Sequence, residues 1–206
     1  MKRNRYIKKQ LDELLYQALE TERGGIKIYE TALSCVQNED LKGEWEEYLE
    51  QTRTHEQILL KVLEELGLNP DTVTPGREVV AHIGDSLVAA MKMAKSKGSA
   101  ADAQLVAGEC VVLAETKDHQ NWELIGHLAE HGQGDATGAL KTAFEAVGQE
   151  EDHHLYHTKG FTRELWVESL GLPAVLPPPE EVKSVETAIG AARAENLRDD
   201  MLKPKH

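Results

Sequence analysis

Apolar residues recur along most of the chain at steps of three and four, the spacing that places side chains on one side of an α-helix. No segment shows the alternation of apolar and polar residues that is typical of a half-buried strand. The pattern predicts five long helices, at about 6–36, 39–67, 76–96, 100–130 and 136–169. A weakly helical stretch is expected at about 180–200. The sequence thus predicts an all-α protein.

Residues that cap or stop helices stand at the ends of these segments. Asn38 can cap the second helix, Gly67 can end it, and Ser99 comes just before the fourth. A chain of 206 residues is long enough to fill one core without disulfides. The run LPAVLPPPEE is typical of a stiff linker. We therefore expect one helical domain at 1–171, followed by a linker and tail at 172–206.

The chain is strongly acidic, with a formal net charge of -13. This charge argues against a nucleic-acid partner, because such a surface needs cations to replace the counterions of the phosphates. The basic cluster within residues 2–9 lacks the apolar run of a secretory signal, and no segment approaches the roughly 18 apolar residues of a membrane span. We therefore expect a cytoplasmic protein that binds neither nucleic acid nor membrane.

Polar side chains interrupt the apolar stripes of four predicted helices. These side chains point inward, because residues three and four apart lie on the same helix face. His153 and His157 fall outside the stripe of the last helix. The inward polar residues are Glu22, His55, Glu115, Asp118, Glu151 and His154.

The inward residues recur in two similar sets. Glu22 is followed after seven residues by Tyr29, and Glu115 is followed at the same interval by Trp122. In each half the next helix of the set carries one inward histidine. The pattern indicates an internal duplication, in which the polar residues of the two halves face each other across a four-helix core.

The chemistry of these residues favours a bound cation. An ionised carboxylate inside an apolar bundle costs several kcal/mol unless another group compensates its charge. No lysine or arginine falls on the four stripes, which leaves the histidines or a cation as compensators. Carboxylate and imidazole ligands suit iron, manganese or zinc, and Glu151-x-x-His154 is the i, i+3 pair of di-iron bundles. Each residue alone has a simpler interpretation, a core group bonded to a neighbour, but clusters on four helices favour a metal site.

The segments that carry these residues resemble the ferritin-like superfamily. They are Glu22 with Tyr29, LEQTRTHEQILLKVLEELGLNP at 49–70, Glu115 with Asp118, and EEDHH at 150–154. The resemblance covers about residues 10–170 and is strongest to the bacterial ferritin-like stress proteins long classed as a domain of unknown function. The di-iron domain of rubrerythrin is a more distant likeness, and its electron-transfer domain is absent because Cys35 and Cys110 form no CxxC motif.

The resemblance implies a ferritin-like four-helix bundle with a long crossover, here carrying an extra helix, between the second and third bundle helices. It also implies two iron or manganese ions, which zinc can replace in crystals. Such a centre reacts with O2 or peroxide, as a ferroxidase, peroxidase or catalase-like oxidoreductase. The related stress proteins carry E-T-x-x-H on the second helix, where this chain has Gln51-Thr52-x-x-His55. The resemblance therefore supplies no carboxylate ligand at that position.

The fourth carboxylate ligand is expected from Asp118. A di-iron bundle offers four carboxylates and two histidines. Aligning the two halves puts Thr52 where Glu151 stands and Gly25 where Asp118 stands. We therefore hypothesise that Asp118 replaces the missing ligand; the alternative is a buried aspartate bonded to His55 or Tyr29. The less favoured ligand candidates are Glu50, Gln51 and Glu150.

Two classes of function stay open from the sequence. One is the di-metal oxidoreductase, and the other is a bundle that holds metal without turnover or is purely structural, with a polar layer of hydrogen bonds. A homodimer is expected rather than a cage, because the tail at 172–206 is long enough to pack on a neighbouring subunit and resembles no cage-forming ferritin helix.

Overall fold

The computed structural model describes residues 4–183, 185 and 187–203. The helices in these ranges are α1 (Lys8–Leu33), α2 (Glu39–Glu65), α3 (Pro75–Lys97), α4 (Ala100–His131), α5 (Thr137–Ser169), α6 (Pro179–Lys183) and α7 (Ala188–Met201). The prediction of an all-α protein is confirmed, and the five long helices begin and end within a few residues of their predicted positions.

A two-residue pair of strands was not predicted. β1 (Asn4–Arg5) pairs in parallel with β2 (Gly132–Gln133) beside the end of α4. Two residues are too short for any alternation of apolar and polar side chains to be recognised. Lys2 and Arg3 of the basic cluster, and residues 204–206 of the predicted tail, lie outside the described ranges.

The helix ends follow the predicted capping chemistry. Asn38 Oδ1 accepts a hydrogen bond from the backbone N–H of Leu41 at 2.9 Å, which satisfies a free donor in the first turn of α2. Ser99 and Asp102 form a capping box at the start of α4. Gly67 follows α2 with a φ of 67°, a left-handed conformation that glycine adopts without steric cost.

Four helices enclose the core. α1 packs on α2, α2 on α5, α5 on α4 and α4 on α1, while α3 lies outside against α1 and α4. One apolar cluster, with Trp45 and Phe161, joins the C-terminal halves of α1 and α5 to the N-terminal halves of α2 and α4. A second cluster, with Leu15 and Trp122, joins the opposite halves. Therefore α1 and α5 run in one direction, and α2 and α4 run in the other.

The helix α3 carries the chain back along the bundle between α2 and α4. Near its start, Arg77 donates a 2.8 Å hydrogen bond to Glu20 of α1. Near its end, Met91 is fully buried in the first apolar cluster. No helix in the described ranges has an apolar stretch long enough to cross a bilayer.

The tail helices pack on α5 of the same chain. Glu164 of α5 is fully buried and accepts hydrogen bonds from Arg163 and from Arg198 of α7, both at 2.9 Å. Arg163 also binds both carboxylate oxygens of Glu180 in α6, at 2.7 and 3.0 Å. The dimer prediction was based on a tail that reaches a neighbouring subunit, whereas these contacts lie within one chain. The dimer itself stays a prediction.

Candidate metal centre

The six inward polar residues form one layer in the middle of the bundle. Along each helix they fall between residues of the two apolar clusters, as Glu22 does between Leu19 and Ile28 of α1. None of the six is more than 4% exposed. Glu22 comes from α1, His55 from α2, Glu115 and Asp118 from α4, and Glu151 and His154 from α5.

Two groups of three side chains in this layer have the spacing of metal ligands. His55, Glu151 and His154 each offer a ligand atom, and these atoms all lie within 4.8 Å of one another. Glu22, Asp118 and Glu151 form a second group with the same spacing. Because Glu151 belongs to both groups, two cations held here would share its carboxylate.

The inner nitrogens of both histidines face carboxylates. His55 Nδ1 lies 2.9 Å from Glu151 Oε1 and 3.8 Å from Glu22 Oε1. His154 Nδ1 lies 3.6 Å from Glu151 Oε1 and 3.6 Å from Glu115 Oε2. Glu115, the one residue of the layer that belongs to neither group, therefore lies next to His154 of the first group.

The outer nitrogens of the histidines are bonded to acceptors. His55 Nε2 lies 2.7 Å from Glu150 Oε2, and His154 Nε2 lies 2.7 Å from Gln51 Oε1. The amide of Gln51 donates to Glu47 at 3.3 Å, which turns its oxygen toward His154. A neutral ring that donates from Nε2 keeps its lone pair on Nδ1, so both histidines present a metal-binding nitrogen to the layer.

The layer contains buried polar atoms that lack hydrogen-bond partners in the described residues. Buried polar atoms are nearly always bonded, so a concentration of such atoms in one place needs an explanation. Carboxylate oxygens and imidazole nitrogens that converge in one buried layer match the ligand set of a divalent transition metal. The ligand-type atoms among them are Glu22 Oε2, Glu115 Oε2, Asp118 Oδ1, both carboxylate oxygens of Glu151, His55 Nδ1 and His154 Nδ1, and the Tyr29 hydroxyl beside Glu115 also belongs to this set.

Burial and crowding make the carboxylates resist ionisation when no cation is bound. Desolvation, followed by the charges of Asp118 and Glu151, raises the pKa of Glu22 well above its usual value. Desolvation, followed by the charge of Glu151, does the same to the pKa of Asp118. Desolvation also raises the pKa of Glu151 to about 8, although nearby His154 lowers it. A divalent cation removes this conflict because it compensates several carboxylates at once.

The contacts around the layer repeat between the two halves of the chain. Trp122 Nε1 donates a 2.8 Å hydrogen bond to Glu22 of the other half. Tyr29, at the matching position, lies beside Glu115, and burial followed by the charge of that glutamate raises the pKa of its hydroxyl. The hydrogen bonds from His55 and His154 to residues of the opposite half repeat in the same way. These reciprocal contacts between the two halves agree with the internal duplication indicated by the sequence.

The structure places Asp118 in the layer and Glu50 outside it. Asp118 stands with Glu22 and Glu151, and its Oδ1 has no hydrogen bond from His55 or Tyr29. The side chain of Glu50 is 70% exposed and pairs with Arg53, because it lies two residues before Thr52, on the far side of α2. Gln51 and Glu150, each one residue before an inward position, reach only the outer nitrogens of the histidines.

Where the two halves differ, the first half brings small residues together. A Cβ atom on Gly25 would lie 3.2 Å from Thr52 Cγ2, so these two positions touch each other. Their counterparts in the second half are the carboxylates Asp118 and Glu151, which belong to one ligand group. The second half of the chain therefore contributes two additional carboxylates to the layer, whereas at the matching positions of the first half α1 and α2 pack closely.

A second polar cluster was missed in the sequence. His157 lies outside the stripe of α5, as predicted, but it is only 6% exposed because α6 covers it. Its neighbours are Glu44 of α2 and Glu181 of α6. The spacing of His153 and His157 by four residues marks a second face of α5, whereas nothing in the pattern links that face to Glu181.

Comparison of the chain with protein-family models, with curated proteins and with solved structures found no match. Its function is therefore inferred from the chemistry of the buried layer.

Proposed function

We propose that this protein is a ferritin-like dinuclear metal protein whose iron or manganese centre reacts with O2 or peroxide. In this proposal α1, α2, α4 and α5 are the bundle helices, and α3 is the helix of the long crossover. The observation that carries it is the pair of ligand groups in the bundle centre, which share Glu151 and contain unpaired buried oxygens and nitrogens.

The ligand set matches the proposed metals. Four carboxylates and two imidazoles are the donors of di-iron carboxylate bundles, and oxygen-rich sites favour iron or manganese over softer metals. When bound, such ions supply the electrons for the reduction of O2 or peroxide. The protein's own residues hold the ions in place: Glu150 and Gln51 fix the two imidazole rings, and Trp122 fixes Glu22.

The experiment is anaerobic loading with Fe(II) followed by exposure to air. The chelator-treated protein should bind Fe(II), consume O2 in proportion to the iron and gain the near-ultraviolet absorption of a ferric centre. Glu151→Gln should abolish the O2 uptake because both ions lose their shared ligand. Glu145→Gln, on the exposed face of the same helix, is the matched control and should behave like the unaltered chain.

The second class of function predicts a different result in the same experiment. Iron that binds but stays ferrous in air would identify a bundle that holds metal without turnover. A protein that binds no iron in the buried layer would leave the layer a purely structural network and contradict the proposal.

A further inference from the structure

A second group of potential metal ligands lies at the junction of α2, α5 and α6. Glu44, His157 and Glu181 each offer one ligand atom, and these atoms lie within 4.8 Å of one another. His157 Nδ1 is 2.7 Å from Glu181 Oε1 and 3.6 Å from Glu44 Oε2. None of the three belongs to the central layer, and Glu181 comes from the tail.

The histidine of this group points its buried Nδ1 toward the two carboxylates. His157 Nε2 lies 3.0 Å from the backbone oxygen of Val185, an acceptor, so this nitrogen carries a proton. Nδ1 is buried and lies 2.7 Å from Glu181 Oε1. A protonated His157 makes this contact an ion pair, whereas a neutral His157 turns the lone pair of Nδ1 toward the two carboxylates. Glu181 Oε1, the oxygen nearest to it, is also buried without a hydrogen-bond partner. A cation to one side of these two atoms, toward Glu44, would contact both.

The surroundings of the group attract cations. Glu44 and Glu181 line a surface depression of about 430 Å³, together with Glu39, Asp40 and Glu47. Among the described residues that line it, none is a lysine or an arginine. Carboxylates that line a concave surface concentrate the field and raise the local concentration of cations. The depression therefore gives divalent ions access to the carboxylates of Glu44 and Glu181.

We propose that Glu44, His157 and Glu181 form a separate binding site for one divalent transition-metal ion. One imidazole and two carboxylates suit Mn(II), Fe(II) or Zn(II). Because its ligands come from two bundle helices and from α6, a bound ion fastens the tail to the bundle. Tyr48 lies between the two metal regions, since its hydroxyl donates to Glu44 while its ring packs 4.4 Å from the ring of His154. The competing occupant of the site is a proton on His157, which would make the group an ion pair.

Cobalt(II) binding to the chelator-treated full chain tests the site. Glu181→Gln should lower the cobalt bound at saturation by about one equivalent per chain, measured by equilibrium dialysis. Glu39→Gln removes the same charge from the same depression outside the ligand group, and it should cause no loss. The loss should be equally large in a Glu151→Gln background. The test of this site therefore does not depend on whether the central layer binds metal.

Protection of the tail from protease gives a second measurement. Trypsin cleavage after Lys183, two residues beyond Glu181, should slow about tenfold when cobalt is present at ten times its dissociation constant. Glu181→Gln should remove this protection. If Glu181→Gln lowers the helix content measured by circular dichroism, Glu44→Gln replaces it, with the same expected loss. Equal cobalt binding and equal cleavage rates in the variant and the unaltered chain would overturn the proposal and leave an ion pair only.

Discussion

At the scale of single residues, Asp118 supplies the fourth carboxylate of the buried layer. It is 4% exposed and stands with Glu22 and Glu151, while Lys117 beside it in sequence donates to Asn121 instead. Burial, followed by the charges of Glu151 and Glu115, raises the pKa of Asp118 more strongly than the charges of His55 and Lys117 lower it. An aspartate in this position is stable in ionised form only with a cation beside it.

We expect Asp118→Ala to lower the metal bound in the layer from about two ions per chain toward about one, because one ligand group loses a carboxylate. Equilibrium dialysis in the Glu181→Gln background measures this without the tail site. Glu50→Ala, which removes an exposed glutamate paired with Arg53, should change little. Two ions held with unchanged affinity after Asp118→Ala would show that another group or water completes the centre.

The raised carboxylate pKa values predict how the metal-free protein responds to pH. A folded-state pKa above the unfolded value, which is about 4 for these groups, stabilises the fold at low pH, and this stability is lost as the pH rises through the folded pKa. For Glu151 that value is about 8. The chelator-treated protein should therefore melt at a temperature lower by about 5 °C or more at pH 8 than at pH 5.5.

Two comparisons check the origin of this pH effect. Glu151→Gln should weaken the dependence, because it removes one of the three carboxylates with a raised pKa. Metal should have a larger stabilising effect at the higher pH, where fewer protons compete with it for the carboxylates. A melting temperature of the metal-free protein that stays constant or rises toward pH 8 would contradict the raised pKa values.

At the scale of elements, amphipathic stripes of more than twenty residues and their caps made the five long helices predictable. The same stripes also made the polar layer predictable. A glutamate or histidine within an apolar stripe lies on the buried face of its helix and therefore in the core. The contacts of residues next to the stripe were less predictable. Glu150 and Gln51 each lie one residue from the stripe, and they bond to the outer nitrogens of His55 and His154. These contacts depend on how the helices pack together.

The docking of the tail was not predictable from local patterns. The tail contributes a small apolar cluster of Val185, which lies between α6 and α7, with Ala191 and Ala194 of α7, and the main attachments are ion pairs. Ion pairs between residues distant in sequence leave no periodic signal in either segment. The partners of His157 and Glu164 could therefore be found only in the structure.

The attachment of α7 through Glu164 gives a test at this scale. Arg198→Ala removes hydrogen bonds at 2.9 and 3.2 Å to the buried carboxylate, and bonds to charged groups contribute about 1.5–3 kcal/mol. Amide hydrogen exchange in α7 should become about 10- to 100-fold faster, with exchange in α1 unchanged. Arg193→Ala, an exposed arginine of the same helix, is the control; equal exchange in the two variants would mean that Glu164 does not hold α7.

At the scale of the whole molecule, we expect a homodimer, as predicted from the sequence. Because the tail contacts its own α5, a dimer surface would be formed by other parts of the bundle or by the outer face of the tail. Light scattering coupled to size-exclusion chromatography should give twice the chain mass of 22.9 kDa. A mass near 24 subunits would mean that a cage forms, in contradiction to this expectation.

The central claim is that the buried layer exists to hold cations, and the melting temperature of the Glu181→Gln chain with and without metal tests it most directly. Chelator treatment should lower this temperature, and anaerobic Fe(II) or Mn(II) should restore it. A ligand at 100 times its dissociation constant stabilises the fold by about 2.7 kcal/mol. For a chain of this size that corresponds to a rise of about 5–10 °C. If the metal-free and metal-loaded proteins melt at the same temperature, and Glu22→Leu with Glu115→Leu raises that temperature, the layer binds no metal and the account is wrong.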